Sequence, residues 1–168
     1  KRLYRQTFSG DLIIEPSASL FNWKSNWSEL IHFGDVVNKG SVIGESNGYA
    51  FYMDLYGDVE NQGTWKDAKI RLKGNDDRLL DGVFDSDVSI GNDTFVITGY
   101  PVFSKDLSVA SHLLLGKNDD GTDAVLTFIG NNVFSNIDVR GADEAVTAQL
   151  IFAGSSQGFD NEIHADTI

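Results

Sequence analysis

Short apolar runs alternate along the chain with Gly, Asn and Asp at intervals of roughly ten residues, the pattern of an all-β protein with many short strands. Residues 3–14 read as one or two strands, with Tyr4 and Phe8 on one face. Alternation over residues 49–56 places Tyr49, Phe51, Met53 and Leu55 together. In residues 68–73, Ile70 and Leu72 point inward while Lys69, Arg71 and Lys73 point outward. Further strands are predicted at 82–90, 94–102, 124–130, 133–139 and 145–153, the last with Val146, Ala148, Leu150 and Phe152 on one face. Residues 19–33 space Leu20, Trp23, Trp27, Leu30 and Ile31 at three and four, ending at Gly34, which predicts a helix. Residues 104–115 fit a helix capped by Ser104 or a buried strand equally well. No internal repeat and no linker is evident. The expected fold is one mostly β domain over residues 1–168, an antiparallel β-sandwich or barrel with one or two short helices.

Composition narrows the function classes. Without cysteine, disulfides, thiolate catalysis and Cys-based metal sites are excluded. The net charge of −12 argues against a binder of nucleic-acid backbone. That charge is uneven: residues 1–74 sum to zero, and residues 75–168 hold all of it. Such polarity suits ordered contact with copies of the same chain or with a larger particle. Apolar runs such as 124–129 are far too short to span a bilayer, so no membrane partner is expected.

Candidate chemistry is sparse. His32, His112 and His164 form no metal-ligand pattern, and no nucleophile elbow is present, so a non-enzymatic protein without a cofactor is expected. Asn118, Asp120 and Asp123 offer hard oxygens beside Gly121 and are candidate calcium ligands. The twelfth position counted from Asn118 is Ile129 rather than Glu, which fails the EF-hand pattern, and Asp120-Gly121 reads equally as a hairpin turn. Trp23, Trp65 and Tyr52 are candidates for a sugar-stacking platform, or else fill the core. Lys66, Lys69, Arg71 and Lys73 form the one dense basic row, a candidate interface or the solvated side of an edge strand.

Residues 123–154 carry a family likeness. A strand leads to Val133-Phe134-Ser135-Asn136-Ile137, then to an acidic turn Ala142-Asp143-Glu144, then to a strand from Ala145 to Phe152 that closes at Gly154. This resembles the closing strands of the tail-tube proteins of long-tailed bacteriophages. The resemblance implies a β-sandwich or barrel that forms rings and stacks into a tube, with DNA passing an acidic lumen. It also implies subunit contacts at the basic row, copies of the chain and other virion proteins as partners, no sequence-specific nucleic-acid binding, and a place in the virion. A capsid decoration or stabilising protein is the sibling expectation. The alternative from another class is a secreted, extracellular carbohydrate-binding module.

Overall fold

The computed structural model describes the chain except residues 1–3, 23–26, 45–48, 75–77, 91–94, 106, 110–112, 130, 136–138, 142–145, 148, 154–155 and 160–168. Its strands follow one another in coils. The first coil is β1 (Tyr4–Phe8), β2 (Leu12–Ile14) and β3 (Ser19–Phe21); the next is β4 (Ser28–His32), β5 (Val36–Asn38) and β6 (Ser41–Ile43). Then come β7 (Phe51–Leu55), β8 (Val59–Asn61) and β9 (Thr64–Lys66), followed by β10 (Ala68–Leu72) and the long β11 (Arg78–Phe84). The later coils hold β12 (Val88–Ile90), β13 (Phe95–Thr98) and β14 (Pro101–Phe103), then β15 (Leu107–Val109), β16 (Leu113–Leu115) and β17 (Val125–Phe128). Last are β18 (Asn131–Ser135), β19 (Val139–Gly141), β20 (Gln149–Phe152) and β21 (Ser156–Phe159).

Every named strand pair is parallel, and each strand lies on the corresponding strand of the coil before it. Eight strands stack in the order β1-β4-β7-β10-β12-β15-β18-β21 along one face. A second face runs β2-β5-β8-β11-β14-β17-β20, and a three-stranded sheet β3-β6-β9 closes the early coils. From β11 onward the third side is built instead by β11-β13-β16-β19. The chain is therefore a parallel β-solenoid, and the expected antiparallel sandwich or barrel is corrected. The alternation of apolar and polar residues was read properly, but it fixes which face a residue takes and not the direction in which strands pair.

The helix expected at 19–33 is corrected with it, and at 104–115 the strand alternative is the one found. The described part of 19–33 holds β3 and β4, and the described part of 104–115 holds β15 and β16; no helix occurs among the described residues. Of the residues that make up the spacing of three and four, Leu20 lies on β3, Leu30 and Ile31 lie on β4, Trp27 precedes β4, and Trp23 lies outside the described residues. Residues 82–90 and 94–102, each expected as a single strand, are each split by a turn. The closing strands do not pair in chain order either. β17 lies between β14 and β20, while β18 lies between β15 and β21, so strands adjacent in sequence belong to different faces.

The interior is a set of apolar columns running through the stack. Leu30, Met53, Ile70 and Val88 form one, each on the next in register and all buried. Trp65, Phe84, Phe103 and Phe128 form another, with ring centroids 5.5, 6.0 and 5.7 Å apart, and Phe152 continues it at 5.4 Å. These separations suit offset and edge-on aromatic packing. One buried column is polar: Asn38 Nδ2 donates to Asn61 Oδ1 at 2.7 Å, and Asn61 Nδ2 donates to the carbonyl of Val83. Asn38 is fully buried, so these bonds remove the penalty for unpaired amides.

Candidate functional site

Many of the polar side chains are rungs between coils. At one corner Asp11 Oδ1 accepts from the backbone N–H of Asp35, Asp35 Oδ1 from that of Asp58, and Asp58 Oδ1 from that of Leu79. Farther along, Asp81 Oδ1 accepts from the N–H of Tyr100. A carboxylate placed one coil below an amide satisfies a corner N–H that has no strand partner.

Of the basic row, Lys69 and Arg71 sit on β10 in the eight-stranded face and meet acids, whereas Lys66 lies on β9 in the three-stranded sheet and Lys73 follows β10. Arg71 bonds to Asp54, directly in register beneath it, and to Glu29 one coil farther on; Glu29 also takes Arg5 at 3.2 Å. The Arg71 guanidinium lies 4.7 Å from the ring centre of Tyr52, which Trp27 meets edge-on. Lys69 pairs with Asp87 at 2.8 Å. Lys66 is exposed and Lys73 half-buried. A cation one coil above an acid is the inter-coil equivalent of a cross-strand pair.

Of the sugar-platform candidates, Trp65 is 2 % exposed, with Nε1 donating to the carbonyl of Ala68, so its ring is core and that assignment is corrected. Tyr52 lies under Arg71, and Trp23 lies outside the described residues.

The loop at Asn118–Asp123 is a turn. The Asn118 N–H donates to the Thr122 carbonyl, that of Gly121 to the Asn118 carbonyl, and Gly121 has φ +82°. Its oxygens already have donors. Asn118 Oδ1 takes the Gly99 N–H at 2.6 Å, Asp120 Oδ1 takes the Thr122 N–H at 2.9 Å, and Asp123 takes Lys117 Nζ at 2.7 Å and the Thr147 N–H at 3.2 Å. Among the described residues no group of three or more His, Asp or Glu is placed to hold a metal ion.

These bonds have a pH consequence. The Lys117 ammonium, then the Thr147 N–H, hold the Asp123 carboxyl below its ordinary 3.8. A carboxyl lowered in the folded state stabilises above that ordinary value, and the contribution disappears as pH falls through the folded value. Asp123→Asn is therefore expected to flatten the fall in Tm between about pH 5 and pH 2, measured as a melting series. An unchanged slope would show that the turn does not feel this proton.

Two concavities remain. A groove of about 480 Å³ follows the aspartate corner, lined by Asp58, Arg78, Asp81, Tyr100, Asn118 and Asp120 among others. Asp58, Asp81 and Asn118 are rungs just described, and Asp120 bonds within its own turn. A smaller cavity of about 160 Å³ is lined by Asp67, Lys69, Ser86, Asp87 and Lys105. Here Lys105 bonds to Asp67 and lies 3.9 Å from Asp85. Burial lowers the Lys105 pKa, but bonding and proximity to Asp67, Asp85 and Asp87 outweigh it, so the amine is held above its ordinary value and stays protonated. Sequence reading singled out neither Ser86 nor Lys105. No family model, no curated protein and no solved structure matches the chain.

Proposed function

We propose that the chain is a non-enzymatic structural module, a length of solenoid that associates with copies of itself in a virion or other extracellular assembly. The observation that carries this reading is the use of its polar groups. Aspartates, asparagines and ion pairs are committed to holding one coil on the next rather than converging on a reacting centre. Rings around a DNA channel, the sharper form implied by the tail-tube resemblance, gain no support from sheets that stack within one chain.

The first coil supports self-association. Among the described residues β1, β2 and β3 each pair on one side only, and Phe8, Ile13 and Phe21 are 52 %, 56 % and 46 % exposed. Unpaired strand edges bearing apolar side chains accept further strands. Residues 75–168 carry the whole negative charge, so acidic ends repel one another and the neutral first coils are the surfaces that meet.

Sedimentation equilibrium checks the reading. Wild-type chain is expected to dimerise or assemble further at tens of micromolar, and an Ile13→Lys, Phe21→Lys double variant with an unchanged circular dichroism spectrum is expected to stay monomeric. A strictly monomeric wild type at millimolar concentration would rule the assembly out.

A further inference from the structure

The smaller cavity has a feature that the structural reading does not use. Asp67, Ser86 and Lys105 stand on successive coils at one corner, and Lys105 reaches past Ser86 to bond Asp67. Ser86 is 0 % exposed, lines the cavity, and its Oγ has no hydrogen-bond partner among the described residues. A buried hydroxyl without a partner is costly, and it marks a place where something else supplies the bond. The cavity is reachable from solvent, because the Lys69, Lys105, Asp85 and Asp87 side chains around it are about a third exposed or more.

The charges select the ligand class. An anion entering between Lys69 and Lys105 meets Asp67 and Asp87, with Asp85 close by. A cation entering between the aspartates meets the two ammonium groups. A neutral group escapes both objections. It must also suit walls in which ammonium groups only donate and carboxylates only accept. The hydroxyl meets this requirement, since it donates to a carboxylate and accepts from an ammonium at once. A vicinal diol has one hydroxyl for each of the two ion pairs, Lys69–Asp87 and Lys105–Asp67, and the Ser86 hydroxyl at the same cavity is the group left without a bond. At about 160 Å³ the cavity takes the edge of a single sugar ring.

We propose that this corner binds the vicinal diol of a saccharide, with Ser86, Lys105 and Asp67 as the recognising groups. Water offers the same hydroxyl chemistry, and the experiment separates the two. Amide chemical shifts of the whole chain are followed by NMR while D-glucose, D-galactose, D-mannose and myo-inositol are titrated in turn. At least one sugar is expected to shift the amides of Asp67, Ser86 and Lys105 saturably, with binding at least tenfold weaker in Ser86→Ala. That variant stays folded, because the hydroxyl it removes has no bond to lose, and its Tm is expected to equal or exceed that of the wild type. Shifts that do not saturate, that spread evenly over the chain, or that persist unchanged in Ser86→Ala overturn the proposal. A cavity filled by water alone gives no sugar-dependent shift at these amides and overturns it equally. Self-association through the first coil stands or falls separately, since none of these residues lies there.

Discussion

Phe103→Ala is expected to destabilise the chain by about 3–5 kcal/mol, the usual range for removing a buried ring. Phe103 is 1 % exposed and stacks between Phe84 at 6.0 Å and Phe128 at 5.7 Å. The loss breaks the aromatic column in its middle, so both neighbours lose a face and the cavity has little to collapse into. A solenoid is close to one-dimensional, with each coil held by its neighbours. The damage is therefore expected to be local in hydrogen exchange. Protection should fall most around β11, β14 and β17, and least around β4 and β7, which lie on the far side of several intact interfaces. An unfolding free energy from denaturant titration within about 1 kcal/mol of the wild type would mean that the column is dispensable. Uniform loss of protection along the chain would mean that the coils melt as a single unit.

The inward faces of some strands were legible from the sequence, and the way those strands stack was not. Alternation correctly put Ile70 and Leu72 inside and Lys69 and Arg71 outside, because side-chain direction depends only on the pleat. The direction of pairing depends on what the turns do. A Gly and Asp cluster that reverses a hairpin looks the same in composition as one that bends a coil through a corner and carries it onward. The missed signal was a repeat. Phe33-Gly34-Asp35-Val36-Val37-Asn38-Lys39-Gly40 returns as Tyr56-Gly57-Asp58-Val59-Glu60-Asn61-Gln62-Gly63, and each shared position has a structural use. The aspartates bond the next coil, the valines stack inside, and the asparagines form the buried amide ladder. The repeat fades because the coil length changes. Tyr4 to Ser28 and Ser28 to Phe51 span 24 and 23 residues, but Phe51 to Ala68 spans only 17.

The same change hid the cavity. Asp67, Ser86 and Lys105 are 19 residues apart in each step, which is the coil rise in that part of the chain, as Phe84 to Phe103 also shows. Without a known rise, three ordinary polar residues at that spacing form no motif. Asp67 carries one more trace of its position, a φ of +56° at the single-residue corner between β9 and β10. Asp tolerates this left-handed conformation better than most residues, and no composition signal distinguishes it from any other turn aspartate.

That corner sets the second large effect. Gly44→Ala is expected to cost about 3 kcal/mol, at the upper end for overpacking, because its neighbour is backbone and cannot rotate away. A Cβ at Gly44 would lie 1.9 Å from the carbonyl oxygen of Asp67, where the Gly44 N–H already donates to the Lys66 carbonyl at 2.7 Å. The alanine must push the two coils apart, and the displacement falls on the corner that aims Asp67 at Lys105. Gly121→Ala is the control. Gly121 has a positive φ of +82° but nothing within 4 Å of its missing Cβ, so alanine there carries only the strain of the left-handed conformation, about 1 kcal/mol. If Gly44→Ala proves no worse than Gly121→Ala in chemical denaturation, the coils are not in close contact at this corner. If it proves several-fold worse, space between stacked coils, rather than backbone freedom, is what glycine supplies at Gly44, and loss of sugar-dependent shifts in the same variant would tie that spacing to the cavity.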